Sequence, residues 1–410
     1  MEKTNALFLA VLRHSLRGEK ARIGDLTPDQ WRALLQLART HKVLPLFLEA
    51  VYDCPSFQSL DPMELAQLKR KIRQQVALQT LRTEEFLALN RHLRDRGIRP
   101  LVVKGLICRS LYPKPDQRPS GDEDVLVSPA QFDACRGMLT GLGLEVAGKE
   151  DGDVYEIPFH KPGSPLYIEL HRSLFPPEAE AYGYLNGFFA GVFDRAVELE
   201  IRGERVLPLA PTDHMFYLIC HAFKHFLHSG FGIRQVCDMV LFARRYGAEV
   251  DWQQIRVNCE AIRGLKFAAA VFRIGEKHLG IPQPEAFRGM QVDEMPMLLD
   301  LLLGGLYGDA TLSRKHSSNI TLDAVAAEKL GKRPRSVLRT SLFPSAEAMA
   351  VRYPYLREKP WLLPVAWGQR IWKYSRETLA APDSSAAEAL KIGAERLELM
   401  KQYGILDKDL

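Results

Sequence analysis

Apolar residues recur at helical spacing over the first hundred positions, shorten to alternating runs between about 100 and 210, and return to helical spacing beyond. Thr27-Pro28-Asp29-Gln30 reads as a capping box with proline at the first helical position, followed by a stripe of Trp31, Leu34, Leu35 and Ala38. Asp61-Pro62-Met63-Glu64 repeats the start signal. From there to about Arg96 nothing breaks the helix, whose apolar side holds Leu65, Leu68, Ile72, Val76, Phe86, Leu89 and Leu93. Gly97 ends it. Nearer the start, Ala6–Leu12 is apolar but short, and Arg13-His14 stand where a cleavage site needs small residues, so it reads as an amphipathic helix.

The pattern then changes. Leu101-Val102-Val103 forms a short strand that stops at Lys104-Gly105, and a helix is expected over Leu106–Tyr112. A polar, proline-containing loop leads to Gly121 and a second strand, Asp122–Val127. Ser128-Pro129-Ala130-Gln131 caps a helix with Phe132, Leu139 and Leu142 inside, and Gly143 stops it. Strands are expected over Val154–His160 and Leu166–His171, and a hairpin over Val197–Ile201 and Val206–Leu209 around Gly203. Pro211-Thr212-Asp213 opens a helix carrying His214, His221, Lys224, His225 and His228, and the next helix carries Arg234 and Asp238. Further on, Lys329, Lys332, Arg333, Arg335 and Arg339 make a basic run that reads as a solvated loop. Trp361, Trp367 and Trp372 lie among Lys359, Arg370, Lys373 and Arg376, a mixture found on membrane-surface helices. Pro360 and Pro364 break that segment, which favours core packing. A last amphipathic helix, Ser385–Tyr403, presents Leu390, Ala394, Leu397 and Met400. Three regions follow: 1–98 helical, 99–210 mixed, 211–410 helical.

Composition narrows the class without choosing a function. Hydrophobic residues make up 46% and charged residues 26%, as in ordinary globular chains. A formal charge of +5 over 410 residues does not argue for nucleic acid. Six cysteines (Cys54, Cys108, Cys135, Cys220, Cys237, Cys259) show no C-x-x-C pairing and read as buried thiols in a reducing cytoplasm. No apolar run reaches the length of a membrane span.

The chemistry concentrates on two strands. Side chains alternate across a strand, so Asp122 and Asp124 share a face, and each raises the other's pKa unless a cation lies between them. A hard divalent ion with oxygen ligands resolves that repulsion, and magnesium keeps room for phosphates. The competing reading is a solvated strand edge. On the later strand Tyr167, Glu169 and His171 share one face, and Leu166, Ile168 and Leu170 the other. Glu169 is a third acidic candidate or simply the polar side of an amphipathic strand, and His171 is placed to orient a carboxylate or phosphate. His221 and His225 are four apart on one helix face, within reach of a common ion. Ala222 follows His221, so the glutamate of a zinc-protease motif is missing, and a structural or nucleotide-facing role is expected.

Lys104-Gly105, Leu111-Tyr112-Pro113, Arg118 and Gly121-Asp122-Glu123-Asp124-Val125-Leu126-Val127 together resemble the nucleotidyltransferase superfamily. The likeness is to a bacterial branch in which Lys-Gly replaces Gly-Ser, and it continues in His-x-x-x-His and Arg-x-x-x-Asp (Arg234, Asp238). Glu123 stands where that branch has an apolar residue; it faces away from the aspartates. The resemblance implies an α+β fold, an α/β nucleotidyltransferase core with a small mixed sheet between two mainly helical regions. It implies an NTP, ATP being the favoured one, with its triphosphate over Lys104-Gly105 and the N-terminus of the following helix. Asp122, Asp124 and Glu169 are implied as catalytic metal ligands for Mg²⁺, with Mn²⁺ as a substitute. Lys104, Gly105, Arg118, Gly121, His221, His225, Arg234 and Asp238 are implied around the nucleotide. An NMP would pass to an unidentified hydroxyl acceptor with release of pyrophosphate. The alternative is an accessory protein that binds a nucleotide or peptide on the same fold without turnover.

Overall fold

The computed structural model describes residues 2–148, 155–305, 312–329, 346–350, 353–379 and 386–407. The protein is α+β, with many helices and a seven-stranded mixed sheet. Its strands are β1 (Leu101–Val102), β2 (Glu123–Leu126), β3 (Glu145–Val146), β4 (Glu156–His160), β5 (Tyr167–His171), β6 (Leu199–Ile201) and β7 (Glu204–Pro208). Their order across the sheet is β3-β4-β5-β2-β1-β7-β6. The β2/β5 and β1/β7 pairs are parallel, and the other neighbours are antiparallel. The two-residue β3 carries too few side chains to show alternation, and sequence reading passes over it. Arg202 and Gly203 both take positive φ at the β6–β7 turn, as a tight hairpin between right-twisted strands requires.

Packing divides the chain into two units, Met1–His221 with Ile233–Glu294, and Ala222–Gly232 with Met295–Leu410. In the first, the capping box at Thr27 forms, and Trp31, Leu34, Leu35 and Ala38 are all buried. The helix Lys3–Ser15 buries Phe8, Leu9, Val11 and Leu12. Asp61 caps the 34-residue helix Pro62–Asp95, and Gly97 ends it at φ 80°. That helix is best buried toward its C-terminal end, at Phe86, Leu89 and Leu93, while Leu65, Ile72 and Val76 are half-buried. Its polar residues hold the loop that precedes β2: Thr80 donates to Asp116 at 2.8 Å, and Gln79 accepts from the Ser120 amide at 2.9 Å. Ser128 makes no side-chain cap on Pro129–Gly141. The capping-box partner is used elsewhere, since Gln131 accepts from the Arg99 amide at 3.0 Å and donates to the Gly97 carbonyl at 2.8 Å. It therefore ties the entry to β1.

In the second unit the last helix spans Ala386–Gln402 and buries Ala389, Gly393, Arg396, Leu399 and Met400. The expected stripe is rotated, with Ala394 exposed, because Arg396 turns inward to pair with Asp300 at 2.6 Å. Arg314 binds the other Asp300 oxygen at 2.6 Å. Core packing of the three tryptophans is corrected: Trp361 and Trp372 are 73% and 64% exposed, and only Trp367 packs partly against the cluster around Leu356 and Ala366. Of the basic run, only Lys329 lies among the described residues. All six cysteines are buried and unbridged. No helix among the described residues is long and apolar enough to cross a membrane.

Candidate active site

Parallel pairing of β2 with β5 sets Asp124 directly beside Glu169. Both point to the face carrying His171, because residues two apart on a strand project together. Ligand atoms of Asp124, Glu169 and His171 all lie within 4.8 Å of one another. His171 Nε2 is 3.4 Å from Asp124 Oδ1 and 3.7 Å from Glu169 Oε2, and its Nδ1 is 3.5 Å from Glu156. Burial would lower the imidazole pKa, but Asp124 and Glu169 outweigh it and raise it to about 9. His171 is thus a cation near neutral pH.

Lys104 closes the other side. Its Nζ lies 3.4 Å from Asp124 Oδ2 and 3.3 Å from His221 Nε2. Burial alone would raise the Asp124 pKa; Lys104 and His171 reverse this and hold it well below the usual carboxylate range. Asp122 sits one residue before β2 and outside the Asp124–Glu169–His171 grouping. Desolvation and the neighbouring Asp124 push its pKa up, against the pull of Lys104. Two aspartates in one motif are therefore driven apart, one firmly ionised and one readier to hold a proton.

Lys104 also carries an unusual backbone, φ −147° and ψ −80°, where the strand turns into the helix Gly105–Ser110. The space a side chain would take at Gly105 is filled by the Glu123 carboxylate and the Asp122 carbonyl. Glu123 does face away from the aspartates, into the core. It is fully buried and paired to Arg109 at 2.6 Å, and Arg109 also donates to Ser120 at 2.6 Å. Gly105 thus lets the turn close over a buried ion pair.

Arg118 is elsewhere. Its Nε and Nη2 bind the Asp238 carboxylate at 2.8 and 2.6 Å, and Tyr112 donates to the same carboxylate at 2.7 Å. Arg118 is 1% exposed and Asp238 3%. Arg234 donates to the Pro119 carbonyl at 2.5 Å, bracing the loop just before exposed Gly121. The structure brings Lys104, Asp122, Asp124, Glu169 and His221 together, and sets Arg118 with Asp238 as a separate buried pair. His225 lies one turn beyond His221, in the second unit, half-buried. The structure sets His171 against both Asp124 and Glu169, on the face that its alternation with Glu169 predicts.

Could this donor set hold a cation? Asp124 Oδ2 is buried, with the Lys104 ammonium 3.4 Å away. Carboxylate oxygens from two adjacent strands converge beside it, which suits a hard divalent ion. The residues present fit.

Two adjacent strands thus present paired carboxylates beside the Lys104-Gly105 turn. The profile of a family described as uncharacterised nucleotidyltransferase matches residues 27–280, more than half of the chain, and the protein belongs to that family. No curated protein matches. Among solved structures, the chain is similar to an antigenic nucleotidyltransferase-like protein from Paracoccidioides brasiliensis at 13% identity and a TM-score of 0.30, covering 50% of this chain and 93% of that one.

Proposed function

We propose that the protein transfers an NMP from an NTP, ATP being favoured, to a hydroxyl acceptor and releases pyrophosphate. The observation that carries this reading is the Asp124–Glu169 register, which converges two carboxylates beside an amine. Asp124 and Glu169, with Asp122 at the edge, would hold Mg²⁺ or Mn²⁺. When bound, the ion would neutralise charge on the attacking and leaving oxygens. His171, held as a cation, orients both carboxylates. Lys104 is only 16% exposed and lies between Asp124 and His221, so a short movement takes its ammonium from carboxylate to phosphate. Glu169, 26% exposed, is the most accessible of the paired carboxylates and is our candidate for accepting the acceptor's proton. Gly121, exposed next to Asp122, lets substrate approach the backbone. In this reading Arg118, Arg234 and Asp238 serve the nucleotide indirectly, by fixing the loop that precedes the aspartates. His221 serves through Lys104.

A second reading has its own support. Lys104 and His171 already offset the charge of Asp124, so the carboxylate cluster can persist without metal. A binding protein that performs no transfer fits that balance. One experiment separates the two: each labelled NTP is incubated with Mg²⁺, purified protein and a cell extract. Transfer of label to a product, lost in Asp122→Asn with Asp124→Asn, supports the enzyme. Unchanged labelling in the double variant overturns this site, and saturable NTP binding without any labelled product favours the silent protein.

A further inference from the structure

The segment that carries the three tryptophans has two stripes on opposite sides. Pro354–Leu356 and Pro360–Leu362 are single 3₁₀ turns, and the helix Leu363–Leu379 follows. Pro364 does not break that helix, because it is the second residue, where no backbone N–H is needed. One side packs inward. Ala366 is fully buried and joins Met349, Ala350 and Leu356, with Leu363 and Trp367 packed partly against them. Arg370 continues that side, half-buried, with its guanidinium 3.8 Å from the Met349 sulfur. Leu363, Ala366, Trp367 and Arg370 follow the spacing of a single helix face. Trp361, Val365, Gly368 and Trp372 repeat that spacing half a turn round the axis, and all four are exposed.

The outer stripe holds the wrong chemistry for a face that only meets water. Trp361, Val365 and Trp372 each leave at least half of their surface exposed, and Gly368 adds no polar group between them. A lone exposed apolar residue is ordinary, whereas a row of them on one face marks an interaction surface. Charge selects the partner. From Tyr353 to Leu379 the sequence holds Arg357, Lys359, Arg370, Lys373 and Arg376 against Glu358 and Glu377. Arg357 and Lys359 are exposed in the chain that leads into Trp361, and none of the four stripe positions is acidic. Tryptophans with cations beside them suit the headgroup layer of a bilayer, where the ring's apolar body sinks, its N–H stays hydrated and the cations meet anionic lipid. A protein partner would need matched pockets for both tryptophans; a lipid surface receives a ridge without them. The stripe runs roughly 16 Å along the axis. No described helix is long and apolar enough to cross a membrane, so the contact is one of lying on the surface.

We propose that Trp361, Val365 and Trp372 form a docking face for an anionic lipid surface, with Arg357 and Lys359 meeting the headgroups. This face is independent of nucleotidyl transfer and is measured without nucleotide. The full chain is sedimented with vesicles of phosphatidylcholine alone, and with vesicles in which about a third of the lipid is phosphatidylserine. Binding to the anionic vesicles is expected, with weaker binding to the neutral ones and a decline as salt screens the charges. Trp361→Ala combined with Trp372→Ala should weaken partitioning by about tenfold or more, since both rings leave the interface. Val365→Glu places an acid at the centre of the stripe and should do the same without touching either ring. Arg357→Gln combined with Lys359→Gln should weaken binding severalfold on anionic vesicles and leave neutral vesicles unaffected. Thermal melting of each variant reports that it has folded; the altered side chains are exposed, and transitions close to the wild type are expected. No sedimentation with anionic vesicles, or binding kept in both stripe variants, overturns the proposal. So does self-association in analytical ultracentrifugation that the stripe variants abolish while vesicles bind nothing, which would assign the face to a second copy of the chain.

Discussion

Two acid–base pairs in the first unit are built from similar parts and end in opposite states. Arg118 and Asp238 meet in two short, nearly parallel bonds at 2.8 and 2.6 Å, sealed by Tyr112, with almost no exposed surface. Lys104 and Asp124 stand 3.4 Å apart, with His171 against the other Asp124 oxygen and His221 beside the Lys104 ammonium. A planar guanidinium saturates a carboxylate, and the pair becomes a strut. An ammonium is a mobile point charge that leaves acceptor capacity unused. The first arrangement has no room for a ligand. The second is held open by a balance of charges that a cation or a phosphate can shift. The same contrast separates Arg109–Glu123, closed at 2.6 Å and fully buried, from its strand neighbour Asp124.

The sharpest way to break the comparison is to remove one arginine. Arg118→Met strands Asp238 in the core, and breaking a buried pair in this way costs about 3–5 kcal/mol. At roughly 2–4 °C per kcal/mol for a domain of this size, thermal melting should fall by about 10 °C. Lys104→Met, the matching change in the open pair, should shift melting little, because His171 still faces Asp124. A large loss of stability in Lys104→Met, equal to that of Arg118→Met, would show both pairs to be struts.

Gly105→Ala comes next in size. The new methyl would run into Glu123 and the Asp122 carbonyl, and backbone and a buried ion pair yield poorly. Overpacking of this kind costs about 1–3 kcal/mol. Denaturant melts of Gly105→Ala test it, and a midpoint equal to the wild type would remove Gly105 as a close-approach position. Double replacement with Glu123→Ala should recover part of the loss only if Glu123 is the obstacle.

On the open side, the effect is on binding. Asp124→Asn should weaken Mg²⁺ by at least about tenfold, or 1.4 kcal/mol, with the fold retained. Lys104→Met should weaken Mg²⁺-NTP by a similar factor while sparing Mg²⁺ alone. Calorimetry distinguishes the two, and Lys104→Met with full NTP affinity would move the phosphate site away from this turn.

How much of this was legible beforehand follows a physical rule. Local signals carried: the caps at Thr27 and Asp61, the stop at Gly97, and the alternation that separates Glu169 from Ile168 and Leu170. Asp124 and Glu169 are 45 residues apart in sequence, yet the alternation of each strand already indicated which face each would take. Arg118 could not be placed that way, since Asp238, 120 residues on, decides its position. Likewise the burial of Arg396 depends on Asp300, and an apolar-stripe argument cannot anticipate a charged residue turned inward. At Gly105 the glycine shows only that something comes close to the backbone. What comes close is a carboxylate from the next strand.

The smallest effect sharpens the comparison through pH, because arginine pairs do not titrate near neutrality and histidines do. His171 has a folded pKa raised to about 9 from 6.5. Its contribution is full below pH 6.5 and is lost as pH rises through 9, since the folded state then holds a proton that the unfolded state has released. His214 is the reverse, with a folded pKa lowered to about 3. Its neutral form is at no disadvantage above pH 6.5, and stability falls below that pH as the unfolded state takes up the proton. His228, lowered to about 4 in the second unit, acts in the same direction. Stability should therefore peak near pH 6.5, falling on either side by at most about 1.4 kcal/mol per pH unit for each group and by less than about 1 kcal/mol within half a unit of the peak. Melts in chelator from pH 4 to 9 measure the curve. His171→Gln should flatten the alkaline side alone, and His214→Phe should lessen the acid slope alone. An alkaline slope that survives in His171→Gln would mean that the open cluster is as fixed in charge as the arginine pair, and the contrast between the two would fail.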